Sequence, residues 1–156
     1  MIRKTALALL LAALLPAAAG ATESFTAWDP HFGFSGGPDQ FVAGGHLQWG
    51  DVAPQLDFVP SLDLGLGDHV TLLTVNGDFH YRLDLGTQWQ PYVGGGVGLH
   101  FVSVDQGGSD TQAGGHFIFG ADVATKHHSR FFAEGKFGFG DSPDFKALAG
   151  WSFQPH

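Results

Sequence analysis

The chain predicts an all-β protein: an eight-stranded antiparallel up-and-down transmembrane β-barrel, preceded by a cleavable signal peptide. Three observations carry this expectation. Beyond the first 21 residues, apolar and polar side chains alternate with period two through eight short stretches. Glycine, present 24 times, is scattered through nearly all of them, and each one would cost a helix about 1 kcal/mol. Strands with one apolar face, repeated this often, leave long exposed edges unless the sheet closes on itself.

The leader comes first. Arg3 and Lys4 precede the apolar run from Thr5 to Leu15, and Pro16 to Ala21 ends in small residues that suit signal peptidase. Cleavage after Ala19 or after Ala21 satisfies the small-x-small rule. Taking Thr22 as the first mature residue, 1–21 is the signal peptide and 22–156 is one barrel domain.

The strands are expected at 25–35, 41–49, 55–66, 70–83, 90–104, 112–124, 130–140 and 144–153. Turn chemistry separates them: Gly36-Gly37-Pro38-Asp39, Gly50-Asp51, Gly67-Asp68, Asp84 to Thr87, Asp105 to Asp110, Lys126 to Ser129, and Asp141-Ser142-Pro143. The fourth strand displays the two faces most clearly. Leu73, Val75, Phe79, Tyr81 and Leu83 lie on one side and face lipid; Thr74, Asn76, Asp78, His80 and Arg82 lie on the other and face the lumen.

The same parity sends Phe41, Leu47, Trp49, Leu56, Phe58, Leu62, Leu64, Val93, Val97, Leu99, Phe101, Phe117, Phe119, Phe131, Phe137, Phe139, Phe145, Trp151 and Phe153 outward. Inward go His46, Gln48, Asp57, Ser61, Asp63, His100, His116, Asp122, Glu134, Lys136 and Lys146. Trp28, Trp49, Tyr81, Trp89, Tyr92 and Trp151 fall near strand ends, where amphipathic rings suit the headgroup region.

Composition agrees with this placement. Only 14% of residues are charged, against about 25% in soluble domains, while Phe occurs 15 times. There is no cysteine, hence no disulfide framework, thiolate metal site or cysteine-borne lipid anchor. The net charge of −8 becomes two units more negative once Arg3 and Lys4 leave with the signal peptide, a balance that repels nucleic acid.

Val59-Pro-Ser-Leu-Asp-Leu-Gly-Leu-Gly67 with Asn76-Gly-Asp-Phe-His-Tyr-Arg82, the glycine-rich Pro91-Tyr-Val-Gly-Gly-Gly-Val-Gly98, and Arg130-Phe-Phe-Ala-Glu-Gly-Lys136 with Ala149-Gly-Trp-Ser-Phe153 together resemble the small outer-membrane β-barrel families. These are the OmpA-type transmembrane domain and its opacity-protein-like relatives. The resemblance covers essentially the whole mature length. It implies an outer-membrane location in a Gram-negative-type bacterium, reached by the general secretory route, with both termini in the periplasm. It also implies outer-membrane lipids and the barrel-assembly machinery as partners. Lys146, Trp151 and Phe153 match the family's terminal assembly signal, whereas Leu148 occupies its glycine position and Gln154-Pro-His156 runs past its final aromatic.

The candidate site is a structural network in the lumen: Asp57, Asp63, Asp78, His80, Arg82, Glu134, Lys136 and Lys146. Eight strands enclose a space that side chains nearly fill, so these charges are expected to pair and plug the barrel rather than line a pore. Glu134 is expected to meet Arg82, Lys136 or Lys146. A narrow pore is the alternative use of the same residues.

Catalytic chemistry has less to rest on. His127 and Ser129 form the His-x-Ser pair of outer-membrane lipid A deacylases, which makes a lipid-modifying enzyme the second reading, but the pair falls in a turn. Nine histidines, His127-His128 among them, lack metal-ligand spacing, and Gly94 to Gly98 lacks the spacing of a phosphate loop. The expectation is a monomeric, non-enzymatic membrane protein with no cofactor or metal, acting structurally or through surface contacts. A secreted soluble calyx binding an apolar ligand is the third reading.

Overall fold

The computed structural model describes residues 26–105, 107–125 and 129–154. The signal peptide, the mature start at Thr22, Phe25, His127 and His128 lie outside them. Nine strands follow in order: β1 (Ala27–Gly36), β2 (Gln40–Gln48), β3 (Asp51–Ala53), β4 (Leu56–Gly67), β5 (Val70–Arg82), β6 (Trp89–Val104), β7 (Gly108–Ala124), β8 (Ser129–Gly140) and β9 (Phe145–Phe153). All neighbouring strands pair antiparallel.

Two pairings turn the sheet into a ring. β1 meets β9 from Trp28↔Phe153 to Gly36↔Phe145, and β2 meets β4 from Phe41↔Leu66 to His46↔Ser61. Eight strands therefore form a closed barrel. The short β3 is a spur paired with the start of β4 and lies outside the ring. It was not expected, because three residues between Gly50 and the 54–55 turn are too few to carry a period.

Two boundaries also differ from expectation. β7 begins at Gly108 rather than at 112, since the β6–β7 ladder continues to Val104↔Gly108 and leaves only three residues between the strands. β2 stops at Gln48, which leaves Trp49 half-buried beside the spur.

The outer wall carries no charged side chain along these strands among the described residues. Phe32, Phe34, Leu62, Leu64, Leu73, Phe79, Val93, Val97, Phe117, Phe119, Phe137, Phe139 and Phe145 are exposed on it. Aromatic rings cover glycines there: a Cβ on Gly135 would meet the Phe119 ring at 2.3 Å, and one on Gly115 the Phe139 ring at 2.3 Å. Such an apolar surface suits hydrocarbon and is unsuited to water. On β5 it runs from Leu73 to Tyr81, about the 9 to 11 residues that a tilted strand needs to cross a bilayer. Trp28, Tyr81, Trp89 and Trp151 are exposed near the ends.

This wall gives a direct expectation. Single cysteines at Val75 and Phe79 should react with a lipid-phase reagent and those at Asn76 and Asp78 should not. The opposite pattern would mean a register inverted by one residue.

Candidate functional site: the polar lumen

Each inward-facing strand position delivers its side chain to a common interior. Asp57, Asp63, Asp78, His80, Glu134, Lys136 and Lys146 are all buried, and Arg82 is half-buried at the lumen end nearest the termini. Burial of this many ionisable groups demands partners. The strand registers supply them.

Midway down the lumen, Lys136 Nζ donates to Asp78 Oδ2 at 2.6 Å and lies 3.5 Å from Glu134 Oε1. Asp78 also accepts from His116 Nε2 at 2.7 Å, and Glu134 accepts from the Tyr92 hydroxyl at 2.8 Å. His46 and His80 approach Glu134 at 3.8 and 3.7 Å. A second centre forms on Asp63, which accepts from Lys146 Nζ at 3.0 Å, His31 Nε2 at 2.8 Å and Asn76 Nδ2 at 3.3 Å.

Towards the termini, Arg82 pairs with Asp57, donates to Gln48 at 2.9 Å and lies 4.0 Å from Asp122, which also binds Arg130. Gln48 in turn donates to Asp29 at 2.7 Å. Towards the other end, His100 joins Thr74 and Ser142, each at 3.0 Å. Glu134 thus meets Lys136, while Arg82 and Lys146 serve Asp57 and Asp63.

Glycine makes the crowding possible. A Cβ on Gly96 would come within 2.1 Å of Asp78 Oδ1, and one on Gly44 within 2.7 Å of Asp63 Oδ1. Small cavities remain at either end. One of about 20 Å³ touches Asp29, His46, His80, Arg82 and Tyr92; another of about 10 Å³ touches Asn76, His100, His116 and Lys146. Each has the volume of about one water molecule.

Several members were not anticipated. Asp29, His31 and Ser152 face inward on β1 and β9, in plain alternation with Trp28, Phe32 and Trp151, and that parity could have found them. Tyr92 corrects an expectation: it was placed in an interfacial girdle, yet it is buried, stacks on His80 at 4.7 Å and binds Glu134. Its parity with Gly94, Gly96 and His100 outranks its nearness to a strand end. Phe132, Leu148, Val42, Val59, Leu72 and Ile118 are buried apolar groups that share the interior.

No group of three or more His, Asp or Glu side chains among the described residues is arranged to hold a metal ion. His127 lies outside the described residues. Ser129 begins β8, with its hydroxyl 2.7 Å from that of Thr125.

No protein-family model matches the chain, and no curated protein matches it. Solved structures do. Neisserial surface protein A superposes with a TM-score of 0.67 at 16% identity, covering 84% of this chain and 96% of that one. The N-terminal β-barrel domain of Pseudomonas aeruginosa OprF gives 0.65 at 15% identity, covering 83% and 96%. At these identities the likeness is one of fold. The chain has the architecture of a small OmpA-type outer-membrane barrel.

Proposed function

We propose that this OmpA-type barrel is a non-enzymatic integral protein of the bacterial outer membrane, with both termini periplasmic and its lumen closed by a polar plug. Its role is structural or one of surface contact. The observation that carries the reading is the division of the wall, with an uncharged aromatic outside and a paired ionic inside. Lys136 between Asp78 and Glu134, and Lys146 on Asp63, tie β5, β8, β4 and β9 across the lumen and fix their register.

Water-sized cavities support a plug over a pore, since a hydrated ion needs a wider bore. The neighbouring structures, a surface protein and a barrel domain by name, agree with a non-enzymatic role. Barrel state and location are tested together by heat-modifiable gel mobility of the protein extracted from isolated outer membranes. Recovery only from the soluble fraction would return the calyx reading.

The lipid-modifying alternative is tested separately. Mass profiles of lipid A from cells with and without the protein should be identical. Loss of an acyl chain that depends on Ser129 would make the protein an enzyme.

A further inference from the structure

The end of the barrel away from the termini has no long loops. Between its strands lie 37–39, 68–69 and 141–144, and only three residues separate Val104 from Gly108. A surface contact at this end therefore has to use the rim itself, and the rim has one open side.

β7 pairs with β6 all the way to Val104↔Gly108, but β8 joins β7 only from Gly114↔Gly140. Residues 108–113 consequently have a strand on one side and solvent on the other. The Thr111 N–H is taken by its neighbour's carboxylate, Asp110 Oδ1 at 2.8 Å, so it points away from the β6 ladder. Alternation then turns the N–H and C=O groups of Ser109 and Ala113 the same way. Outward side chains change here from Leu99 and Phe101 to Ser103 on β6, and on β7 from Ala113, paired with Leu99, to Thr111, paired with Phe101, and Ser109, so the edge leaves the apolar band at its exposed, polar 109–111 end.

Charge selects the occupant. The turns and edge at this end carry Asp39, Asp68, Asp105, Asp110, Asp141 and Asp144, all exposed, and among the described residues no exposed Lys or Arg. Asp110 sits on the open edge, and the turn bearing Asp141 and Asp144 lies at its foot, where Ser142 N is 2.5 Å from a Cβ built on Gly114. A second copy of the same edge would bring carboxylate against carboxylate.

We propose that the edge at 109–113 docks an extended, lysine- or arginine-bearing segment of another protein, which adds to the barrel wall as a further strand. The segment's backbone bonds to Ser109, Thr111 and Ala113, its carbonyl replacing Asp110 Oδ1 on the Thr111 N–H, and its cations meet the released Asp110 and Asp141. Main-chain bonds give affinity in such complexes, and side chains give selectivity. About five residues suffice to span the edge.

The test uses the purified full chain in zwitterionic micelles, so its failure leaves the membrane reading untouched. A fluorescent peptide of about seven residues, alternating lysine with threonine or valine, is titrated by anisotropy. Saturable binding is expected, weakened about tenfold when alternate peptide amides are N-methylated, because one or two main-chain bonds are lost. Thr111→Pro should weaken it similarly while leaving the β6 ladder whole, and Asp110→Asn with Asp141→Asn should weaken it most at low salt. If Thr111→Pro fails to fold, the N-methylated peptide decides alone.

Equal binding of the N-methylated peptide would reduce the site to unspecific charge attraction and overturn the proposal. So would absence of saturation up to millimolar peptide. A dimer abolished by Thr111→Pro would assign the edge to a second copy and overturn it equally.

Discussion

Lys136→Met should destabilise the barrel by about 3 to 5 kcal/mol, the cost of leaving buried carboxylates without their cation. Lys136 is 2% exposed and stands between Asp78 and Glu134 at 2.6 and 3.5 Å, so both acids lose their nearest positive charge. His116 and Tyr92 remain as partners, but each belongs to one acid only. Folded fraction against urea in lipid vesicles, read by gel mobility, measures the loss. Adding Asp78→Leu should recover much of it, since an apolar replacement removes the charge that was stranded. A Lys136→Met barrel as stable as the parent would mean that water, not Lys136, satisfies these acids.

Phe137→Arg should cost roughly 2 to 4 kcal/mol in the same titration. The side chain is half-exposed on the outer wall of β8, stacked on Phe119 at 5.4 Å and tilted on Phe145 at 5.1 Å, with no carboxylate on that face of the strands. An arginine there loses the ring contacts and places its charge against hydrocarbon. The penalty should shrink in detergent, where the cation reaches water more easily. An effect within experimental noise in vesicles would mean that this wall does not face lipid.

These two substitutions act on opposite faces of one strand, a residue apart. That relation was legible from period two alone, as were the eight barrel strands and the inward positions of Asp57, Asp63, Asp78, Glu134, Lys136 and Lys146. The pairing of particular acids with particular cations was not. Lys136 reaches Asp78 across the lumen from β8 to β5, and Lys146 reaches Asp63 from β9 to β4, so the partners depend on barrel closure and stagger, which no local pattern encodes.

Tyr92 marks the limit from the other side. Residue type suggested a headgroup anchor, parity suggested the lumen, and parity governed because a one-residue shift would turn every neighbour on β6 to the wrong face. The open edge of β7 was equally hidden. The stretch from Asp105 to Asp110 is rich in turn formers, yet the β6–β7 hairpin runs six residues beyond the point where β8 joins, and only the register of both ladders reveals the difference.

A membrane barrel whose interior is filled by paired polar groups should pass no ions. The most direct measurement is single-channel conductance of the purified monomer in a planar lipid bilayer, with insertion verified by heat-modifiable mobility. Electrical silence at neutral pH, with Lys136 and Lys146 intact, is the result the ion-paired lumen predicts. Steady, ohmic single-channel openings from the unmodified monomer would contradict it and assign the interior to a pore.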